Sequence, residues 1–589
     1  LSAARQRPAT PNIAGDVIAR LRTFNEVQAL RDYLQLIGPP SRMSIPLLLA
    51  GAAQFSYLNE QPSALALLDE ARRADPDFPT TLIARAQVLT YLGRFDEAEL
   101  EVVRSQRRAP QIAVGWSLLA NLRRQTMGSN HIDAIRALLA RPGRKALDET
   151  YLASALHKEL DDLGDIDGAW QALEQACKAK RATLQYASAD SRALVDALAA
   201  LPAAPPASPV DPSARVPIFI VGMHRSGTTL LEQLLDGSPQ ARGVGELYDF
   251  TSAMRYATDH HCKGVIDRTI VERAKDVDFA EVGQRYLDGM AWRLGDERCF
   301  TDKLPSNFLN IGFICRALPG ARILHMVRDP VETCFSSLRE LFSEANPYSY
   351  DQLELADYFI QYRRLMAHWH AAYPGRILDV DYAELTRDPE GIMRRVASFC
   401  GIAYIDAMSD PRSSKRAVST ASAVQVRDRV VRREIPKWAP YAEYLQPLIG
   451  ALRQGGVFDR LALAASGVAQ GIPVFVAGTL MVLVFAQILK WVPAGGFTPF
   501  TVDPGRHLLL LMMPASAIAL GLSAITFRIV RASVLDVLPL DYVRTARAKG
   551  LPQGRIIRRH ILRNALMPVI TVFALNLGGG VPGTMVNLA

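Results

Sequence analysis

Along the first 200 residues apolar positions recur at i, i+3, i+4 and i+7, the spacing that gives a helix one buried face. ALALLDEARRA (64–74) and DEAELEVVRSQRRA (96–109) are two such stretches, each stopping just before a proline that cannot continue a helix. Displacing the chain by 34 residues lays Leu58-Asn59 on Leu92-Gly93, Ala64 on Ala98, and Asp75-Pro76 on Ala109-Pro110. A weaker copy surrounds Leu163-Gly164-Asp165 and Ala169. The pattern predicts four to five antiparallel helix pairs over residues 20–198. One pair cannot bury its own apolar face, so the pairs stack into a curved solenoid. LPAAPPASPVDPSA (201–214) then reads as a stiff linker. Beyond it the period changes: VPIFIV (216–221) has the length and branching of a buried strand, GMHRSGTT (222–229) is a turn, and TLLEQLLD (229–236) is a helix ending at Gly237. At the far end, residues 461–489, 508–527 and 565–589 carry no charge, and each run can span the roughly 30 Å of a bilayer core.

These patterns divide the chain into helical repeats (1–200), a linker (201–215), an α/β domain with a parallel sheet (216–458) and an all-α transmembrane segment (459–589). A length of 589 residues implies three or four domains. With 49% hydrophobic and 21% charged residues, 39 glycines and 36 prolines, neither a collagenous nor a wholly disordered chain fits. Mean hydropathy of +0.06 averages two different solvents. Sixty-seven basic residues against 59 acidic ones give a net charge of +8 without a basic tail. That balance suits anionic small molecules or lipid as well as nucleic acid, and no nucleic acid is expected as a partner. Cys177, Cys262, Cys299, Cys315, Cys334 and Cys400 form no CxxC or CxxH pair, so a reducing compartment is expected, and neither a zinc knuckle nor a dithiol. The start LSAARQRPAT has no methionine and no apolar run, and no signal peptide is expected.

Strand, glycine turn and helix in that order make a phosphate cradle. Gly222 and Gly227 let backbone amides approach an anion, and the helix start at Thr228 and Thr229 adds free N–H groups and a positive dipole end. Thr228 stands where a nucleotide triphosphatase needs lysine, and Arg225 carries the charge instead. An arginine there suits a 5′-phosphate that is held without splitting a γ-phosphate. PIFIVGMHRSGTTLLEQLLDGSP (217–239) resembles the 5′-phosphosulfate loop of sulfotransferases, particularly the bacterial repeat-bearing ones and the tyrosylprotein sulfotransferases. The 34-residue period resembles the tetratricopeptide repeat, whose groove would dock an acceptor or a protein partner.

RILHMVRDPVETCFSSL (322–338) resembles that family's 3′-phosphate site, which implies Arg328 and Ser336 as ligands of the phosphate. The resemblance further implies Glu246, in SPQARGVGELYDF (238–250), as general base, and Lys303, in FTDKLPSNF (300–308), as the cation beside the transferring group. Arg225, Ser226, Gly227, Thr228 and Thr229 then bind the 5′-phosphosulfate. STASAVQVRDRVVRREIPKW (419–438) resembles a lid loop and places Ser422 and Lys437 on the same group, although VRDRVVRREIPK departs from the proline and small residues usual there. Arg427 is a further anion-binding candidate. His224 is an alternate base or a residue of loop hydrogen bonds. Leu247-Tyr248-Asp249 follow Glu246 where the tyrosylprotein enzymes carry arginines, which argues against peptide tyrosine as acceptor. The implied reaction moves a sulfuryl group from PAPS (3′-phosphoadenosine-5′-phosphosulfate) to a hydroxyl or amine on a peptide, glycan or small molecule, without a metal.

Between the second and third apolar runs lie nine basic residues, from Arg528 to Arg563, against Asp536 and Asp541. Positive-inside asymmetry makes this loop cytoplasmic, and the sulfotransferase-like part with it, while the C-terminus enters the inner membrane. DYVRTARAKGLPQGRIIRRHILRNALMPVITV (541–572) resembles the coupling loop of dipeptide and oligopeptide ABC-transporter permeases, and the likeness spans about 465–580. It implies an ABC ATPase subunit as partner through 541–563, with Ala546 to Gly550 as the docking helix. Three spans stand where that family has about six. The rival readings are a P-loop kinase, a noncatalytic membrane scaffold and a transporter subunit.

Overall fold

A computed structural model describes residues 5, 11–23, 25–202, 214–342, 344–413, 435–453, 466, 473–537, 543, 553–567 and 570–571. It divides into two compact units, Leu1–Leu452 and Arg453–Ala589. Most of the linker, the lid loop with Ser422 and Arg427, and the docking helix 546–550 lie outside the described residues.

Among the described residues the first unit opens with eleven α-helices: α1 (Pro11–Thr23), α2 (Val27–Ile37), α3 (Ile45–Tyr57), α4 (Gln61–Ala74), α5 (Pro79–Tyr91), α6 (Phe95–Arg108), α7 (Ala113–Leu122), α8 (Ile132–Leu139), α9 (Ala146–Leu163), α10 (Ile166–Arg181) and α11 (Ser188–Ala199). α3, α5 and α7 begin 34 residues apart, as do α4 and α6. Ala64 and Ala98 are both fully buried where α4 meets α3 and α6 meets α5. The period breaks after α7, where a small bridge between Thr126 and Ser129 leads into α8 of only eight residues. α9 and α10 restore a packed pair.

Five parallel strands follow: β1 (Val216–Gly222), β2 (Ala241–Gly243), β3 (Cys299–Asp302), β4 (Arg322–Val327) and β5 (Ile377–Asp381), in the order β2-β3-β1-β4-β5. β1 is apolar throughout because both its faces are covered. Ile218 and Ile220 face α12 (Thr228–Asp236) and α20 (Pro389–Cys400), whereas Phe219 and Val221 join the core that continues into the repeat helices. That second face is covered chiefly by α13 (Asp249–Ala257), α15 (Phe279–Met290), α16 (Ile311–Ala317) and α18 (Gln352–Ala372). Two short helices, α14 (Arg268–Arg273) and α19 (Tyr382–Arg387), and α17 (Pro330–Leu338) complete the connections. Because β3 and β4 flank β1 on opposite sides, a crevice opens at the carboxyl ends of these strands, the usual ligand position of such sheets.

In the second unit, Val474–Met481 is helical and runs on as a π-helical stretch to Ile488. Pro504–Val537 forms a helix of 34 residues with Pro514 inside it. Among the described residues no helix is long and apolar enough to cross a membrane.

Candidate active site

Each strand of the sheet delivers one part of the site at its carboxyl end. β1 runs into the cradle, whose turn is tight. Arg225 has φ +69°, and Gly227 has φ +107° with a position for Cβ only 2.4 Å from the ring of Tyr382, which follows β5. Gly227 precedes α12, and Thr228 and Thr229 are buried at its first turn.

The Arg328 side chain is hydrogen-bonded to the backbone of Arg225 in this turn. Arg225 Nε donates to Ser336 Oγ at 3.2 Å, and Nη1 lies 3.7 Å from Glu340. Arg328, at the end of β4, donates from Nη1 to the Arg225 carbonyl at 3.0 Å and from Nη2 to Glu332 at 2.5 Å. Its guanidinium lies 4.4 Å from the centroid of Tyr382. The sequence places Glu332 one helical turn from Arg328, and Asp329 caps that turn by accepting from the Glu332 amide.

Lys303 follows β3 and Glu246 follows β2. Lys303 Nζ donates to Glu246 Oε1 at 2.6 Å; the lysine side chain has no exposed surface and the glutamate keeps 34%. The Lys303 amide donates to the Gly245 carbonyl, which ties the two turns together. Between pair and cradle stands His224, its ring nitrogens 3.3 Å from Ser306 Oγ and from the Tyr348 hydroxyl. Burial pushes His224 down to about 4, the Glu246 charge opposes this, and Lys303 and Arg225 reinforce it. At neutral pH the imidazole is therefore uncharged, and all three charged groups lie within its electrostatic reach.

The structure thus brings Arg225, Ser226, Gly227, Thr228, Thr229, Arg328 and Ser336 to one cradle, with Glu246 and Lys303 beside it. Lys437 is partly buried in the turn before Ala439–Tyr441. Sequence reasoning did not find the contribution of the repeats. Asn59 Nδ2 donates to the carbonyls of Val244 at 3.0 Å and Glu246 at 3.4 Å, and Tyr57 stacks on Tyr248 with ring centroids 5.4 Å apart. Desolvation, with the charges of Glu246 and Glu340, pushes the Tyr91 phenol up. These partners lie more than 150 positions apart along the chain, and no local spacing reports them.

Residues 217–406 match the model of the sulfotransferase family, and residues 447–588 match that of the binding-protein-dependent transport system inner membrane component. An uncharacterized protein of Aquifex aeolicus is 28% identical over 417 residues, 67% of this chain and 53% of the relative. The oligopeptide transport system permease protein OppB of Escherichia coli is 41% identical over 141 residues, 24% of this chain and 44% of the relative. The chain spans about half the length of these curated relatives. Among solved structures, the sulfotransferase domain from the Synechococcus PCC 7002 olefin synthase covers 41% of this chain and 98% of its own at 17% identity, with a TM-score of 0.26. Residues 217–406 are thus similar to the sulfotransferase family and residues 447–588 to an inner-membrane transport component.

Proposed function

We propose that residues 216–458 transfer a sulfuryl group from PAPS to a hydroxyl or, less readily, an amine acceptor. The observation that carries this reading is that Arg328, at the end of β4, hydrogen-bonds the backbone of Arg225 in the glycine turn after β1, while the Arg225 side chain reaches Ser336 beyond β4. Among the described residues, the buried Ser226 Oγ and Arg328 Nε have no hydrogen-bond partner, and such donors at a cradle fit phosphate oxygens. Arg225, Ser226 and the amides of Gly227, Thr228 and Thr229 hold the 5′-phosphosulfate. Arg328 and Ser336 hold the 3′-phosphate, with Ser422 and Lys437 assigned to the covering loop.

Glu246 takes the proton of the acceptor hydroxyl as its oxygen bonds to sulfur. The bond from sulfur to the phosphate oxygen breaks, and Lys303 meets the negative charge that grows on that oxygen. In the ligand-free state the two groups neutralise each other, and an arriving donor and acceptor separate their roles. Tyr57, Asn59 and Tyr91 place the repeats beside Glu246, which supports acceptor docking along them. The likeness of residues 447–588 to an inner-membrane transport component supports an inner-membrane location for that region, with the catalytic part cytoplasmic and an ABC ATPase as partner through 541–563.

The test pairs melting of the full chain in PAP (the 3′,5′-bisphosphate product) or ATP with labelled PAPS offered to peptides, glycans and small hydroxyl compounds. PAP is expected to raise the melting temperature where ATP does not. Glu246→Gln is expected to keep that shift and lower transfer by about 10²–10⁴-fold. Protection by ATP alone would make the site a kinase's. Transfer unchanged in Glu246→Gln and Lys303→Ala would leave a scaffold.

A further inference from the structure

A second constellation lies on the α18 side of the sheet, behind the cradle. His325 on β4 and Asp379 on β5 are register partners, and His370 reaches the same place from the last turn of α18. His325 Nδ1 is 2.7 Å and His370 Nε2 is 2.9 Å from the same oxygen, Asp379 Oδ1. All three donor atoms lie within 4.8 Å of one another. His325 is buried, whereas the side chains of His370 and Asp379 keep 37% and 53% exposure on a cleft of about 310 Å³. The other nitrogen of His325 is hydrogen-bonded to the Tyr362 hydroxyl, which in turn bonds the backbone of Met223 in the cradle.

We propose that His325, His370 and Asp379 bind a divalent transition-metal ion of the zinc class. Two imidazoles and one carboxylate are a borderline donor set, suited to zinc or cobalt rather than to magnesium or calcium. A tetrahedral ion with bonds of about 2.0–2.2 Å holds its donors roughly 3.4 Å apart. The two nitrogen-to-oxygen spacings, 2.7 and 2.9 Å, are shorter, and the exposed His370 and Asp379 can open them. Without an ion, each imidazole places an N–H on the shared oxygen. On binding, each N–H proton moves to the ring's other nitrogen and no proton need be lost. For His325 that nitrogen faces the Tyr362 oxygen, which accepts it and orients the ring, as second-shell partners of metal-bound histidines do. Three protein donors leave the fourth position to water from the cleft. The ion stands outside the transfer step: it ties β4 to β5 and α18, and through Tyr362 to Met223 it braces the cradle. This inference is independent of the proposed function.

The full chain, stripped with a chelator, is titrated with Co²⁺ alone as the probe. The expected result is visible d–d absorption of low-coordinate Co²⁺ at one ion per chain, bleached by Zn²⁺. His370→Ala and Asp379→Asn, both at exposed side chains, lose that absorption while keeping the parent far-ultraviolet circular dichroism. Tyr362→Phe weakens Co²⁺ binding by about 10-fold or more. Absence of the absorption in the parent, or its survival in both ligand variants, would overturn the proposal and leave the trio a hydrogen-bonded network.

Discussion

An ammonium with no exposed surface is costly unless its partner is present, and Lys303 has Glu246 at 2.6 Å. Removing the carboxylate outright strands a buried charge, so Glu246→Ala mixes a stability loss with loss of the proposed proton transfer, whereas Glu246→Gln keeps an acceptor for Nζ. Other buried groups carry a pH dependence of defined sign. Burial, then the charge of Arg339, pushes His157 below its ordinary value; its Nδ1 donates to the Ala169 carbonyl and its Nε2 accepts from Arg339 Nε at 2.9 Å. As pH falls below about 6.5 the unfolded chain protonates this histidine and the folded chain does not, so stability drops by about 1.4 kcal/mol per pH unit. His224 contributes with the same sign down to its value of about 4. Asp302 and Asp249, held up by burial, titrate in the opposite sense. His157→Gln isolates the effect: its urea midpoint is expected to change less than the parent's between pH about 7 and about 5. A slope identical to the parent's would contradict the assignment. The strand, glycine turn and helix that group Arg225 to Thr229 were legible in the sequence because an apolar run, two glycines and a leucine-spaced helix follow one another at short, fixed spacing. Tyr382, Glu340 and Asn59 were not, because only the folded sheet brings them there.

At the scale of elements, two glycines set the shape of the site. Gly227, at φ +107°, faces the Tyr382 ring, and that ring lies under the Arg328 guanidinium. A methyl group there strains the backbone and displaces Tyr382, so Gly227→Ala is expected to cost about 1–3 kcal/mol. It is also expected to abolish the melting shift proposed for PAP, read by the same thermal assay. Gly245, at φ +85°, has its Cβ position 2.6 Å from Asn59 Nδ2. Asn59 has φ +62°, a conformation glycine adopts freely, which makes Asn59→Gly a clean deletion of the amide. Gly245→Ala is expected to destabilise less in the Asn59→Gly background than in the parent, with a coupling of about 0.5–3 kcal/mol in a double-mutant cycle. Additive effects would mean that the repeats do not hold the Glu246 turn. Strand, turn and helix in the cradle follow from apolar runs and glycine placement, and the 34-residue period follows from α3 to α7. The break at α8 escaped the pattern because its eight residues and the Thr126–Ser129 bridge replace a full helix with a local hairpin.

For the molecule as a whole, the joint between repeats and sheet decides which fragments can stand alone. Arg339, at the end of α17, reaches His157 and Asp161 on α9, and Asp161 also accepts from the Tyr441 hydroxyl at 2.5 Å. Arg181 forks onto Glu354 at 2.8 and 2.9 Å, and Arg293 donates to the Leu58 carbonyl. Beneath these bonds one apolar core runs without a break from Ala86 through Trp170 and Phe219 to Leu448. Cutting at the linker divides that core and opens buried charges such as Arg293. Residues 1–453 correspond closely to the first compact unit, so this piece is expected to melt cooperatively and to show the full chain's PAP shift. Residues 214–453 retain every cradle residue together with Glu246 and Lys303, yet lose Asn59, Tyr91 and the α9 anchor. They are expected to lack a cooperative transition. The deciding measurement is calorimetry of both fragments with and without PAP. A cooperative, PAP-shifted transition in residues 214–453 would show that the repeats are an appendage to the sheet rather than half of its core.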